Sequence, residues 1–181
     1  MKLEKLLSEK GPAILNKWLK LILESYPADT QRFLKKQKDQ FANPVRHTIS
    51  KELENIYKEL LKGVDRERLS PFLDSIIRIR AVQDFSPSQA IAFIFQLKKV
   101  IREALDKEIG AHQLSGELLA FESEVDELAL IAFDVYMKRR EKIYEIKAKE
   151  AKSHVYKLLE RAGLIAEIPE WEPGLKQGNN S

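Results

Sequence analysis

Apolar residues in this chain recur at intervals of three and four, the signature of helices buried on one face. Leu15, Trp18, Leu19, Ile22 and Leu23 form the first such stripe. Gly11-Pro12 precedes it and predicts a break or kink, with Pro12 as the first residue of the next helix. Tyr26-Pro27 closes the stripe, because the residue before a proline avoids the helical region. Residues 29–40 are mostly polar and predict a short helix at most. Phe41-Ala42-Asn43-Pro44-Val45 reads as a loop. Leu53, Ile56, Tyr57, Leu60 and Leu61 make a second stripe, stopped at Gly63. Phe72, Leu73, Ile76, Ile77 and Ile79 make a third, opened by Asp65 or by Ser70-Pro71 and running to about Val82.

The clearest boundary is Ser86-Pro87-Ser88-Gln89. Ser86 can cap, Pro87 fits the first helical position, and Gln89 stands three after the cap, which is a capping box. The helix beyond it, over residues 87–108, carries Ile91, Ile94, Phe95, Leu97, Val100, Ile101 and Leu105. Its first half is apolar nearly all round, so it is expected to be the central buried helix. Residues 110–116 read as a loop, with Ser115 as the next cap.

Residues 117–161 contain neither proline nor glycine. One continuous helix of that length spans about 70 Å at 1.5 Å per residue, so part of it is expected to project from the core. The stretch from Leu118 to Phe133 is apolar enough for the core, and the chain is strongly charged from Met137 onward. There Tyr144, Ala148, Ala151, Val155, Leu158 and Ala162 alternate steps of four and three, a narrow heptad stripe. Such a stripe serves as a dimer seam or packs against its own chain. Gly163 is the expected stop, and Trp171 sits in a terminal tail. No run alternates like a strand. The reading is an all-α bundle, with one domain over residues 1–163 and a tail over 164–181.

Composition narrows the function classes. Hydrophobic residues are 44% of 181, enough to close one core. A net charge of +3 is too small to argue for nucleic acid. The absence of cysteine removes disulfides, thiol catalysis and Cys-ligated metals. The N-terminus lacks the apolar core of a signal peptide, and no apolar run approaches the roughly 18 residues of a membrane span. A cytoplasmic protein without membrane insertion is expected.

Candidate chemistry is sparse. His47 and His112 lie in or near expected loops, and His154 lies on the charged end of the last helix, so none is a haem ligand in an apolar pocket. Glu150 and His154 stand four apart but lack a third metal ligand. There is no phosphate loop, and several serines, Ser70, Ser86 and Ser115 among them, sit at expected caps. No cofactor, metal or catalytic set is expected. Arg78, Arg80, Gln83 and Asp84 lie at a helix end beside the capped start at Ser86 and Ser88. Cationic side chains near free backbone N–H groups suit an anion or an acidic partner. The plainer alternative is an Arg80–Asp84 pair four apart, with Gln83 closing the turn. Lys138, Arg139, Arg140 and Lys142 form a basic cluster, either a docking strip or a solvated face in which Glu145 pairs with Lys149. Phe72, Phe85, Phe93, Phe95 and Phe121 either line an apolar ligand cavity or simply pack.

A resemblance rests on residues 80–90, Arg-Ala-Val-Gln-Asp-Phe-Ser-Pro-Ser-Gln-Ala, followed by Phe93-Ile94-Phe95 and Leu97-Lys98. Trp18, Phe41-Ala42-Asn43-Pro44-Val45 and Tyr136-Met137-Lys138-Arg139-Arg140-Glu141-Lys142 fit the same pattern. Over residues 15–161 the chain resembles the RsbRD-type N-terminal input domain of RsbT co-antagonist proteins, most of all the stand-alone members of sulfur- and sulfate-metabolising anaerobes. The resemblance implies a globin-like, haem-free helical sensor that pairs as a homodimer and signals through its C-terminal helix. It also implies association of stand-alone members with membrane redox complexes. In the stress-response proteins an output domain follows, whereas here only a short tail does, so output is expected to pass to another chain. The expected function is a non-catalytic signal-input or adaptor domain, with an interface at Tyr144, Ala148, Ala151, Val155 and Leu158. The alternative is a small-molecule sensor with a core cavity.

Overall fold

Buried positions follow the helical period from the first turn. Leu3, Leu6, Leu7, Ile14, Trp18, Leu19, Ile22 and Leu23 are all buried on α1 (Leu3–Glu24). The computed structural model describes residues 2–36, 43–81 and 85–164, and among them there are six helices and no strand. The chain is all-α.

Helix α1 runs through Gly11 and Pro12, so the expected break is not there. Pro12 removes one N–H from the ladder. The same turn is held from outside, because the Tyr57 hydroxyl donates to the Leu7 carbonyl at 2.9 Å. Gly11 makes this approach close, since a Cβ there would stand 3.4 Å from the Tyr57 ring.

Helix α2 (Ala28–Lys36) is the short polar helix. Helix α3 (Pro44–Leu60) begins inside the expected 41–45 loop. Asn43 explains this: its Oδ1 accepts from the Arg46 N–H at 3.0 Å while its Nδ2 donates to the Leu34 carbonyl. Pro44 then needs no donor at the first helical position. Phe41 and Ala42 lie outside the described residues. Gly63 follows α3 with φ +103°, a conformation that glycine adopts without strain.

Helix α4 (Arg66–Ala81) opens at Asp65, whose carboxylate accepts from the N–H groups of Glu67 and Arg68, and Pro71 lies inside it. Helix α5 (Pro87–His112) has the expected capping box: Gln89 N–H donates to Ser86 Oγ at 3.3 Å, and Ser86 N–H donates to Gln89 Oε1 at 2.9 Å. It passes Gly110, so the expected 110–116 loop shrinks to Gln113 and Leu114. Gly110 costs about 1 kcal/mol in a helix. Burial of Leu114, whose N–H donates to Ile109 O, offsets it. Ser115 becomes the first residue of α6 (Ser115–Arg161) instead of its cap.

The chain divides into two compact units, Met1–Glu141 and Lys142–Ser181. In the first, α1 packs on α5 and α3, α3 packs on α4, and α4 meets α5. Trp18 Nε1 donates to the Phe93 carbonyl at 2.6 Å in the middle of the α1–α5 contact. Lys17–Glu103 and Lys10–Glu108 pairs lie on one side of it, toward the start of α1 and the end of α5. Part of α6 joins this core through Leu118, Phe121, Val125, Leu128, Ala129, Ile131, Ala132 and Tyr136, and Arg102 of α5 forks onto Glu122. Phe95 departs from expectation and is 47% exposed. Phe93, Ile94, Leu97 and Ile101 fix the inward face of α5, and Phe95 falls on the other side. In the second unit α6 continues to Arg161 and ends as expected at Gly163, with φ +66° and bonds Gly163 N–H to Glu160 O and Leu164 N–H to Leu159 O.

Candidate functional site

The last turn of α4 carries a cation into the core. Arg80 continues the stripe of Leu73, Ile76 and Ile77, and its side chain is 1% exposed. The guanidinium carbon lies 4.2 Å from the centre of the Phe85 ring, 5.3 Å from Tyr26 and 5.8 Å from Phe93. Such contacts gain from the negative faces of the rings. Nη2 donates to Ser25 Oγ at 3.1 Å and to the Gln89 carbonyl at 3.0 Å. Nε and Nη1 are buried with no hydrogen-bond partner among the described residues. Among the described residues no carboxylate pairs with this cation.

Burial lowers the Arg80 pKa from its usual value, with Tyr26 opposing the shift. Burial likewise pushes the Tyr26 phenol up, with Arg80 opposing. The arrangement joins three helix ends: Ser25 and Tyr26 beyond α1, Arg80 in α4, and Gln89 with Phe93 in α5.

From this junction three contacts reach α6 within the first unit. Tyr136 donates to the Phe85 carbonyl at 3.2 Å. Arg140 donates to the Ala81 carbonyl at 3.4 Å. Arg139 forks onto Asp74 of α4. The basic cluster is therefore partly consumed: Arg139 and Arg140 contact α4, Lys142 pairs with Glu145 at 3.1 Å, and Lys138 is exposed. The Lys142 pair stands where Glu145–Lys149 was expected.

Of the sequence-predicted binding residues, Arg80 is buried in the junction while Arg78, Ser86 and Ser88 are exposed, with the two serine hydroxyls 3.2 Å apart. Gln83 and Asp84 lie outside the described residues, and the expected Arg80–Asp84 pair with them. The residues that sequence reasoning missed are Ser25, Tyr26, Phe85 and Phe93 as the walls around Arg80. The signal for Arg80 itself was its position three and four after Ile77 and Ile76 on the buried stripe. The phenylalanines do not converge as one lining: Phe85 and Phe93 close on Arg80, Phe121 borders a shallow groove against α1, and Phe95 faces out.

His47 lies exposed in the first turn of α3 and His154 exposed on α6. Among the described residues no three potential ligands cluster for a metal.

In the second unit Tyr144, Ala148, Ala151, Val155 and Leu158 are all exposed, Val155 by 53% and Leu158 by 51%. These follow, on the same helix, residues such as Tyr136 that are fully buried.

A helical domain whose buried charge ties helix ends to a long helix, and whose long helix then exposes an apolar heptad stripe, has the build of a signalling module. The chain belongs to the RsbT co-antagonist protein rsbRD N-terminal domain family, whose model matches residues 12–150. That family is a signalling one. The match runs from within α1 into the charged part of α6, taking in the Arg80 junction and the capping box. No curated protein and no solved structure matches the chain. No described helix is long and apolar enough to cross a membrane.

Proposed function

We propose that this chain is a non-catalytic signal-input domain that reports to another polypeptide through the C-terminal half of α6. The observation that carries the reading is the exposure of Ala148, Ala151, Val155 and Leu158 at heptad spacing on a helix whose earlier turns are buried. Apolar heptad positions gain by facing a second helix. The Arg80 junction supplies a route for input: a change at the ends of α4 and α5 acts on α6 through Tyr136, Arg139 and Arg140. Arg78, Arg80, Gln83, Asp84, Ser86 and Ser88 are the segment where that input is received. Homodimerisation through the α6 stripe is the arrangement that the family resemblance favours.

The test is light scattering and native mass spectrometry on the full chain, beside an Ala151→Glu/Val155→Glu variant. Wild type should associate, with itself or with a helical peptide that presents an apolar heptad face, and the variant should lose that association while keeping its circular dichroism. A wild type that remains a monomer and binds no such peptide would sink the reading.

Sensing of an apolar ligand has one observation of its own. A groove of about 480 Å³ lies between α1 and α3, floored by Gly11, Leu15, Leu19, Leu53 and Tyr57. That falls within the usual range of ligand sites, about 300–1,000 Å³. An adduct in the same mass spectrum, lost in a Gly11→Leu variant, is the outcome that would select it.

A further inference from the structure

The Arg80 junction gathers donors that no described residue accepts. Nη2 is satisfied by Ser25 Oγ and the Gln89 carbonyl. Ser25 Oγ is itself committed, since it donates to the Ile22 carbonyl at 2.6 Å. Nε and Nη1 have no partner among the described residues, and neither has the Tyr26 hydroxyl. Both residues are fully buried, Arg80 at 1% and Tyr26 at 3% exposure. They are neighbours: the guanidinium carbon stands 5.3 Å from the Tyr26 ring centre, and each group acts on the ionisation of the other. Buried polar groups nearly always have a hydrogen-bond partner, so unmet donors at one place call for a common acceptor.

The aromatic walls are not that acceptor. Rings attract the cation through their faces, whereas the guanidinium N–H groups point outward in its own plane. Helix polarity does not compensate either. Arg80 gains from the C-terminal end of α4 but touches Gln89 in the first turn of α5, and the two helix ends oppose each other. A neutral acceptor would take an N–H and still leave a buried charge unpaired, which is the larger cost. A small anion does both, accepting from Arg80 and Tyr26 while neutralising the charge. Burial pushes the Tyr26 phenol up, so it keeps its proton and can donate. One buried cation calls for one negative charge, because a divalent ion would leave an excess within the same apolar walls. Phe85, half-exposed, is the wall on the solvent side.

We infer that Arg80 and Tyr26 form a site for a small monovalent anion of the chloride or formate kind, where the ends of α1, α4 and α5 meet. The inference rests on the reading of this segment as the receiver of input, and gives that input a chemical class. Arg80 supplies the charge and Tyr26 a second donor. Ser25 and Gln89 hold the guanidinium in place.

The test is thermal melting of the full chain, followed by circular dichroism, as chloride or formate replaces gluconate at constant ionic strength. Gluconate has the same charge but is too bulky for a buried site. The midpoint should rise with the logarithm of the small anion's concentration, as binding to the folded state alone requires. Tyr26→Phe should weaken the apparent affinity about tenfold, the loss of one hydrogen bond to a charged group. Arg80→Met should abolish the response. A wild type with the same midpoint in all three salts overturns the site. So does a response that Arg80→Met retains, which marks a general salt effect. A response that appears only in Asp84→Asn also overturns it, and assigns the buried charge to the chain's own carboxylate. Light scattering in the same buffers separates the site from the reading beneath it. An anion response that leaves association unchanged supports the site and removes its role as input. Association through α6 with no anion response removes the site and leaves the output reading standing.

Discussion

Arg80 is the residue on which the first unit's helix ends converge. Its cost and its benefit are separable by substitution. Removing the side chain leaves a cavity among Tyr26, Phe85 and Phe93 and strands the Ser25 hydroxyl. Arg80→Ala should therefore cost about 2–5 kcal/mol, the range for a large core deletion. Arg80→Met keeps most of the volume and removes a cation whose Nε and Nη1 have no acceptor among the described residues, so it should cost under about 2 kcal/mol. Urea denaturation of the two variants checks the ordering. If Met is as damaging as Ala, the charge itself holds the junction together. Buried neutral partners alone do not explain why a cation sits here, and its use as a receiver of input is the reason proposed for it.

At the scale of elements, α1 and α5 are held by an apolar face and trimmed by two ion pairs. Hydrogen bonds from Lys17 and Lys10 hold the Glu103 and Glu108 carboxyls below the usual glutamate range. A depressed folded-state pKa means that the unfolded chain binds the proton first as pH falls. The stabilisation is thus complete above the ordinary glutamate value, about 4.3, and is lost as pH drops through the lower folded values. Glu103 is exposed and Glu108 half-buried at the surface, so the effect is small. Glu103→Gln/Glu108→Gln should flatten the fall of the urea midpoint on the acid side of that value. An unchanged acid limb would show that these pairs do not contribute. The same pair of helices also shows where local rules gave way. Proline and glycine at 11–12 predicted a break because one hydrogen bond is lost there. The buried face on both sides, together with Tyr57 bonding to Leu7, outweighs that single loss.

At the scale of the whole molecule, the two units differ in what holds their helices. The α6 residues of the first unit bury Val125, Leu128, Ala132 and Tyr136, whereas Ala151, Val155 and Leu158 in the second bury little. Local opening is easiest where few apolar contacts must be broken. Amides of residues 145–160 should exchange with deuterium well before those of residues 121–136. Equal protection of both groups in the free chain would mean that the exposed half of α6 is held as firmly as the buried half, and so is not an open seam.

The helices were readable from the residues alone, because a three-and-four spacing of apolar residues, a capping box and a terminal glycine are local physics. Ser86 with Gln89 and Gly163 were legible in this way, and Asp65 stood as one of two openings for its helix. The heptad stripe at Tyr144, Ala148, Ala151, Val155 and Leu158 was legible as a pattern. Packing between helices selects which apolar residues face inward, so Phe95 came out exposed although its neighbours Phe93 and Ile94 are buried. It also turns Arg80 into the core, since aromatic walls from the segment after α1, the α4–α5 connection and α5 assemble only when those helices pack. Long-range contacts carry no local signature: Tyr57 to Leu7, Trp18 to Phe93 and Tyr136 to Phe85 join residues far apart in the chain. Helices follow from neighbours along the sequence, and the buried charge at their junction follows from neighbours in space.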